Sequence, residues 1–365
     1  MATFELNNVK KDIVNDKINR NSVIVEVFSA MVDGRDMSKY GKAAEKGTRY
    51  IKELASKAVA GDTVAISEIN SLRRLYLEPL VEQDIKLLSS FGNYKRLGFE
   101  DSLEIETYTY EGEKSRIQAL NGDVTFPVLK KVKQPISTIT ISGGFAQDYR
   151  QMALGDMSKE AEGLAQVRTD IRNKAVVYIV KSVYESIKNA TGVKYFAEEA
   201  GLTKTNTDKV LTNVRRIGKP IIMGTYALLS QFINWVGYTG LVDGNVITGI
   251  SEKIMDEINA TGLIGKYNGN ILHEIPNPYD FTKFNTDGNN FETMLPDGLG
   301  FVLPSGGKSP IGIVTRGGIT SFTGSDVSSG NVITRFDLEI GVAVVKGREF
   351  EIGVVHDTNL DDLVA

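Results

Sequence analysis

The chain contains no cysteine, and only two histidines and one tryptophan among 365 residues. The missing cysteine excludes disulfides and thiolate metal sites and is compatible with a reducing compartment. The shortage of histidine leaves little material for imidazole chemistry. His273 stands beside Glu274 and His356 beside Asp357. Neighbouring residues on a strand point to opposite faces, so neither pair is a preformed dyad. No apolar run approaches the ~18 residues of a membrane-spanning helix. The opening stretch MATFELNNVKKDIVNDKINR lacks an apolar core, so a secretory signal is not expected. A basic excess is also missing: 42 Lys and Arg face 46 Asp and Glu, for a net charge of −4. The densest basic cluster, Lys130, Lys131 and Lys133, is short. A grip on nucleic acid is therefore not expected, although proximity without adhesion is compatible with this charge.

Catalytic signatures are equally sparse. PSGGKS (304–309) ends like a phosphate-binding loop. That loop requires a glycine five positions before Gly307, where Val302 stands, and a helix after the serine. Pro310 and the β-rich Ile311-Gly312-Ile313-Val314 follow instead, so the stretch reads as a β-turn between two strands. Gly143-Gly144 and Gly317-Gly318 lack dinucleotide-binding spacing and read as turns or bulges. No GxSxG elbow or HExxH is present, and DTNLDD (357–362) lacks the spacing and glycine of a calcium loop. No catalytic, cofactor or metal residue is assigned. A nucleotide-binding enzyme using Lys308 stays as a distant alternative.

With 41% hydrophobic and 24% charged residues, the composition is that of a globular protein, and the length suggests two or three lobes. The β-branched run Val23, Ile24, Val25, Val27 is followed by a glycine- and charge-bearing stretch over 31–47 that reads as a loop or extended arm. Apolar residues at three- to five-residue steps predict a helix from 63, with Pro79 as a candidate end and a second amphipathic turn up to 91. From Leu103 the period becomes two, giving strands LEIETYTY (103–110), Val124–Leu129 and ISTITIS (136–142). Both faces of this ribbon, about 98–142, are rather polar. A lone two-stranded ribbon is barely stable, so it packs on its own domain or lies on another molecule. Leu164, Val167, Ile171, Ala175, Ile179, Val183 and Ile187 then hold one stripe of a helix running from a Ser158 N-cap to about Asn189. Its length is on the order of 50 Å. Shorter helices are expected at 226–236 and 250–260, a loop-rich stretch at 277–298, and strands at 300–303, 311–314 and 334–355. Trp235, spaced with Leu228 and Phe232, reads as a core residue before an interface anchor.

The order of these elements resembles the major capsid proteins of tailed bacteriophages, with the Hong Kong 97 type shell fold. The phrases that carry it are the strand and long helix of TITISGGFAQDYRQMALGDMSKEAEGLAQVRTDIRNKAVVYIVKSVYESI, then GKPIIMGTYALLSQFINWVG, LPDGLGFVLPSGGKSPIGIVTRGGITSF and RFDLEIGVAVVKGREFEIGVV. The resemblance is best over 136–355. It implies an α+β fold in five segments: an N-terminal arm and helices (1–97), an extended β-ribbon loop (98–135), a peripheral domain with a spine helix (136–192), an axial α/β domain (193–330), and peripheral strands with the C-terminus (331–365). It implies a structural subunit, not an enzyme, that self-assembles into hexamers and pentamers of an icosahedral or prolate head around double-stranded DNA. No cofactor is implied. Implied partners are further copies of the chain, scaffolding, portal and decoration proteins, and packaged DNA nearby without sequence-specific binding or a membrane. Implied localisation is the virion, assembled in the host cytoplasm. The ribbon residues Leu103, Ile105, Tyr108, Tyr110, Lys114 and Arg116 are the expected subunit contacts, and the N-terminal arm is expected to be held by neighbours. An encapsulin-like bacterial nanocompartment shell of the same fold remains the alternative.

Overall fold

Three helices open the described part of the chain. The computed structural model describes residues 22–87, 91–111, 117, 128–147, 149–236, 238–242, 245–249, 252–284, 288–305, 309–325 and 332–363. The expectation of an N-terminal arm over the first 21 residues, and Lys308, lie outside them. The β-branched run forms a helix, α1 (Val23–Val32), which buries Ile24, Val25, Val27, Phe28, Ala30 and Val32. Burial at helical spacing overrides β propensity here. The stretch expected to be a loop contains a whole single-turn 3₁₀ helix (Met37–Tyr40) and the start of α2 (Lys42–Val59). Gly47 sits inside α2 because a Cβ there would lie 2.7 Å from Val27 Cγ1, so the two helices need its missing side chain. Next comes α3 (Thr63–Leu87), which continues through Pro79 instead of ending there. Losing one backbone hydrogen bond is outweighed by Leu72, Leu77, Val81 and Ile85, all buried.

After the short α4 (Tyr149–Leu154), α5 (Ser158–Lys188) runs for 31 residues, ~46 Å at helical rise. Every residue of the expected apolar stripe, from Leu164 to Ile187, is buried. The N-cap is Met157, not Ser158. Asp156 Oδ1 takes over the capping role, accepting from the Ser158 N–H at 3.0 Å and from its hydroxyl at 2.7 Å.

Two sheets divide the body. One is four-stranded in the order β1 (Asn93–Leu97), β14 (Ile311–Ser325), β15 (Val332–Val344), β4 (Thr138–Gln147). The α5 helix lies on β4 and β15. The other is six-stranded: β5 (Tyr195–Glu199), β16 (Gly353–Asp357), β13 (Leu299–Ser305), β6 (Lys219–Gly224), β10 (Asn270–Glu274), β9 (Lys266–Tyr267). The helix α6 (Lys204–Arg215) packs on it. The largest core cluster joins α1–α5 to the four-stranded sheet, and a second lies around α6 and α7 (Tyr226–Gln231). Trp235 is half-buried in that second cluster, with its ring 4.8 Å from Phe232 and 6.2 Å from Tyr267.

Several expectations change at this level. The strands flanking PSGGKS are present, β13 in one sheet and β14 in the other, and the β-turn expected between them falls on 306–308, outside the described residues. Gly317-Gly318 lies at a register shift between Arg316 and Thr320, whereas Gly143-Gly144 is regular strand paired to Phe336 and Arg335. After α7 a hairpin pairs β7 (Tyr238–Val242) with β8 (Asn245–Gly249) ahead of α8 (Glu252–Thr261), and the loop-rich stretch contains a second hairpin, β11 (Tyr279–Phe284) with β12 (Phe291–Thr293). Pairing also crosses the expected boundary at 330, since 311–325 joins the spine-helix sheet and 353–357 joins the other.

A buried ion pair ties the first unit together. Arg73 and Glu160 are both fully buried and bond through two N–O contacts of 2.5 and 2.6 Å. The same guanidinium donates to Gln147 Oε1 at 2.6 Å, Thr334 Oγ1 at 2.8 Å and Asn70 Oδ1 at 3.2 Å. Removing one partner leaves the other charge without compensation. We expect Arg73→Met to lower unfolding free energy by ~3–5 kcal/mol in urea titration, and Arg73→Met with Glu160→Leu to recover most of it.

The second lock is at the C-terminus. His356, buried in β16, contacts Asp361 Oδ2 of α9 (Thr358–Leu363) at 2.7 Å and Glu198 Oε1 of β5 at 3.4 Å. Tyr184 of α5 meets its ring edge-on at 5.9 Å, and Lys188 bonds Glu198. Burial disfavours the charged ring, but the Asp361 hydrogen bond and the charges of Asp361 and Glu198 outweigh it and raise the His356 pKa above 6.5. Its stabilisation is therefore complete below pH 6.5 and is lost as pH rises through the folded-state value. Thermal melts of wild type and His356→Gln should differ most below pH 6.5 and converge at alkaline pH.

Candidate subunit-contact surfaces

The ribbon β2 (Glu104–Glu111) and β3 (Val128–Pro135) is a sheet of its own, in unbroken antiparallel register from Glu104↔Pro135 to Glu111↔Val128. Its root is fastened to the body. Ile136 N–H donates to the Leu103 carbonyl at 2.8 Å, Gln134 Nε2 to the Val344 carbonyl at 3.0 Å, and Lys346 N–H to Gln134 Oε1 at 2.9 Å. Leu103 and Ile105 are half-buried against a small cluster of Leu97, Ile136 and Val314. A groove of about 750 Å³ opens beside the root, lined by Gln134, Pro135, Tyr178, Ser186, Asn189 and Lys346 among others.

Away from the root the ribbon offers polar and apolar groups to solvent. Lys131 bridges Glu106 at 2.7 Å and Lys133 bridges Glu104 at 2.8 Å. The hydrogen bond to Lys131 holds the Glu106 carboxyl below its ordinary pKa, and that to Glu104 holds the Lys133 ammonium above its own. Val128 and Val132 remain 63% and 38% exposed. This surface combines backbone edges with mixed polar and apolar side chains.

The expected contact residues separate into three groups. Leu103 and Ile105 pack partly on their own chain and stay half-buried. The backbone places Tyr108 in register with Lys131 and Tyr110 with Leu129. Lys114 and Arg116 lie outside the described residues. Sequence reasoning missed the Gln134 clamp, which joins residues more than 200 positions apart, and the aromatic hairpin at 279–293. Alternating Tyr279 and Phe281 was the available signal for the hairpin. Among the described residues, no group of three or more His, Asp or Glu could hold a metal, and no helix is long and apolar enough to cross a membrane.

Gly312 sets how closely the ribbon root approaches the sheet: a Cβ there would stand well inside van der Waals contact of Ile105 Cδ1. We expect Gly312→Val to push Ile105 out and loosen the ribbon. Amide exchange over 103–106 and 133–136 should rise at least ten-fold, with little change in the spine helix.

Solved structures similar to the chain include a virus-like particle from Pyrococcus furiosus, with 8% identity, 77% of this chain and 97% of that chain covered, and a TM-score of 0.44. The holo-SrpI encapsulin complex from Synechococcus elongatus PCC 7942 is similar at 10% identity, 75% and 88% coverage and 0.44. Mycobacterium phage Adephagia is similar at 13% identity, 74% and 89% coverage and 0.44. No curated protein matches the chain. A family model described as "SPbeta prophage-derived putative capsid protein YonB" matches residues 5–356. With that span of its 365 residues matched, the chain belongs to the YonB capsid-protein family.

Proposed function

We propose that this chain is the structural shell subunit of a tailed-phage head, gathering into hexamers and pentamers that close an icosahedral or prolate shell around double-stranded DNA. The family match over residues 5–356 carries the reading. The ribbon adds physical support, because a rooted strand pair with an uncovered outer part is stabilised by lying on a neighbour. Symmetric shells rest on many modest interfaces that stay correctable during growth and become collectively permanent on closure. A net charge of −4 limits adhesion to packaged DNA.

In this reading the spine-helix unit, with 311–325, is the peripheral part. The six-stranded unit, including 353–363, is the axial part. Scaffolding, portal and decoration proteins are its partners, the virion its destination and the host cytoplasm its place of assembly. The test is electron microscopy and size-exclusion chromatography of the purified chain. Megadalton particles or hexamer-sized capsomers are expected. A monomer at every concentration overturns the proposal, and shells filled with a protein cargo instead of DNA would assign the chain to a nanocompartment.

A further inference from the structure

The hairpin of β11 and β12 carries aromatic side chains that the body does not cover. Phe281 and Phe284 are 73% and 64% exposed, and Tyr279 is 41% exposed. They form a continuous cluster through Phe291, with ring centroids 5.2 Å from Phe281 and 5.0 Å from Phe284. The root of this hairpin is fixed. Asn277 Nδ2 donates to the Leu295 carbonyl at 2.8 Å and to Asp297 Oδ1 at 2.7 Å, while Leu295 N–H donates back to Asn277 Oδ1 at 2.9 Å. Ile275 and Leu295 anchor both ends in the main core. Both ends of the hairpin are thus held to the body, so a partner meets a patch whose base is already ordered.

We infer that the aromatic face of 279–293 is an interface with a second copy of this chain inside the assembled shell, an inference that rests on the shell reading above. Size argues for this occupant. The three exposed rings offer ~350 Å², less than half of the ~800 Å² per partner that a stable pair of proteins needs. A separate protein would not stay on so small a patch. A copy already held by other contacts would, because those contacts supply a high effective concentration. Charge argues against DNA: Asp280 and Glu292 stand opposite each other in register, and Lys283 is the cation paired to Asp280, at 3.9 Å.

The cysteine-free chain makes the test direct. A Lys283→Cys protein carries one thiol beside the patch, small enough a target for N-ethylmaleimide to reach inside or outside a porous shell. We expect labelling at least ten-fold slower in particles than in unassembled protein. Equal rates overturn the contact while leaving the shell reading intact. Protection that appears only in complete heads with additional proteins overturns the second copy in favour of a separate partner. If the wild-type chain forms no particles at all, the shell reading fails and this contact with it. Independently, Phe281→Ser with Phe284→Ser should keep the melting temperature of the unassembled protein but lower particle yield several-fold. Unchanged yield also overturns the inference.

Discussion

Everything in the first unit is oriented around one buried charge. The Arg73 guanidinium sits at the meeting point of α3, α5, β4 and β15, and its acceptors come from all four. Phe145 and Tyr149 lie over it, with ring centroids at 5.2 and 5.3 Å. Taking a charge so deep costs several kcal/mol, and an apolar cluster could match the net stability. An apolar cluster would not reproduce the direction of the contacts. The planar fork accepts one placement of Glu160, and hence one rotation and one height of the spine helix above the sheet. Arg168 repeats the device one layer away, gripping Asp84 at 2.7 and 2.8 Å. Two ion pairs between α3 and α5 therefore hold the N-terminal helices to the spine.

That placement explains why the spine helix was legible in the sequence and the helices beneath it were not. Leu164 to Ile187 repeat at three and four residues without proline, so periodicity alone sufficed. In α1 the same spacing was hidden by valines and isoleucine, whose β preference is worth less than burying six side chains. Gly47 and Pro79 looked like breaks because their local cost is visible, whereas the contacts that outweigh it come from elsewhere in the chain. The ribbon was legible through its period of two. Its root was not, since Gln134, Val344 and Lys346 meet only in the folded chain.

The chain path also couples the two units. After β13 it leaves the six-stranded sheet, builds β14 and β15 in the four-stranded one, then returns to place β16 between β5 and β13. The four-stranded sheet is complete only at Val344 and the six-stranded one only at Asp357. The returning strand is fastened on several sides: Asp357 accepts from the Gly201 and Leu202 N–H groups at 2.8 and 3.0 Å, and His356 reaches Asp361 and Glu198. Tyr184 and Lys188 at the end of the spine helix touch the same cluster, so a disturbance there bears on both units.

The contrast between interior and surface carries the functional argument. Inside, Arg73, Glu160, Asp357 and His356 are all bonded to other parts of the chain. Outside, the ribbon and the 279–293 hairpin are two-stranded pieces that a single chain roots but does not cover. Such pieces are marginal in water unless something packs on them. A molecule whose uncovered surface is strand and aromatic ring gains most from neighbours of fixed orientation. A symmetric array of copies offers neighbours of that kind.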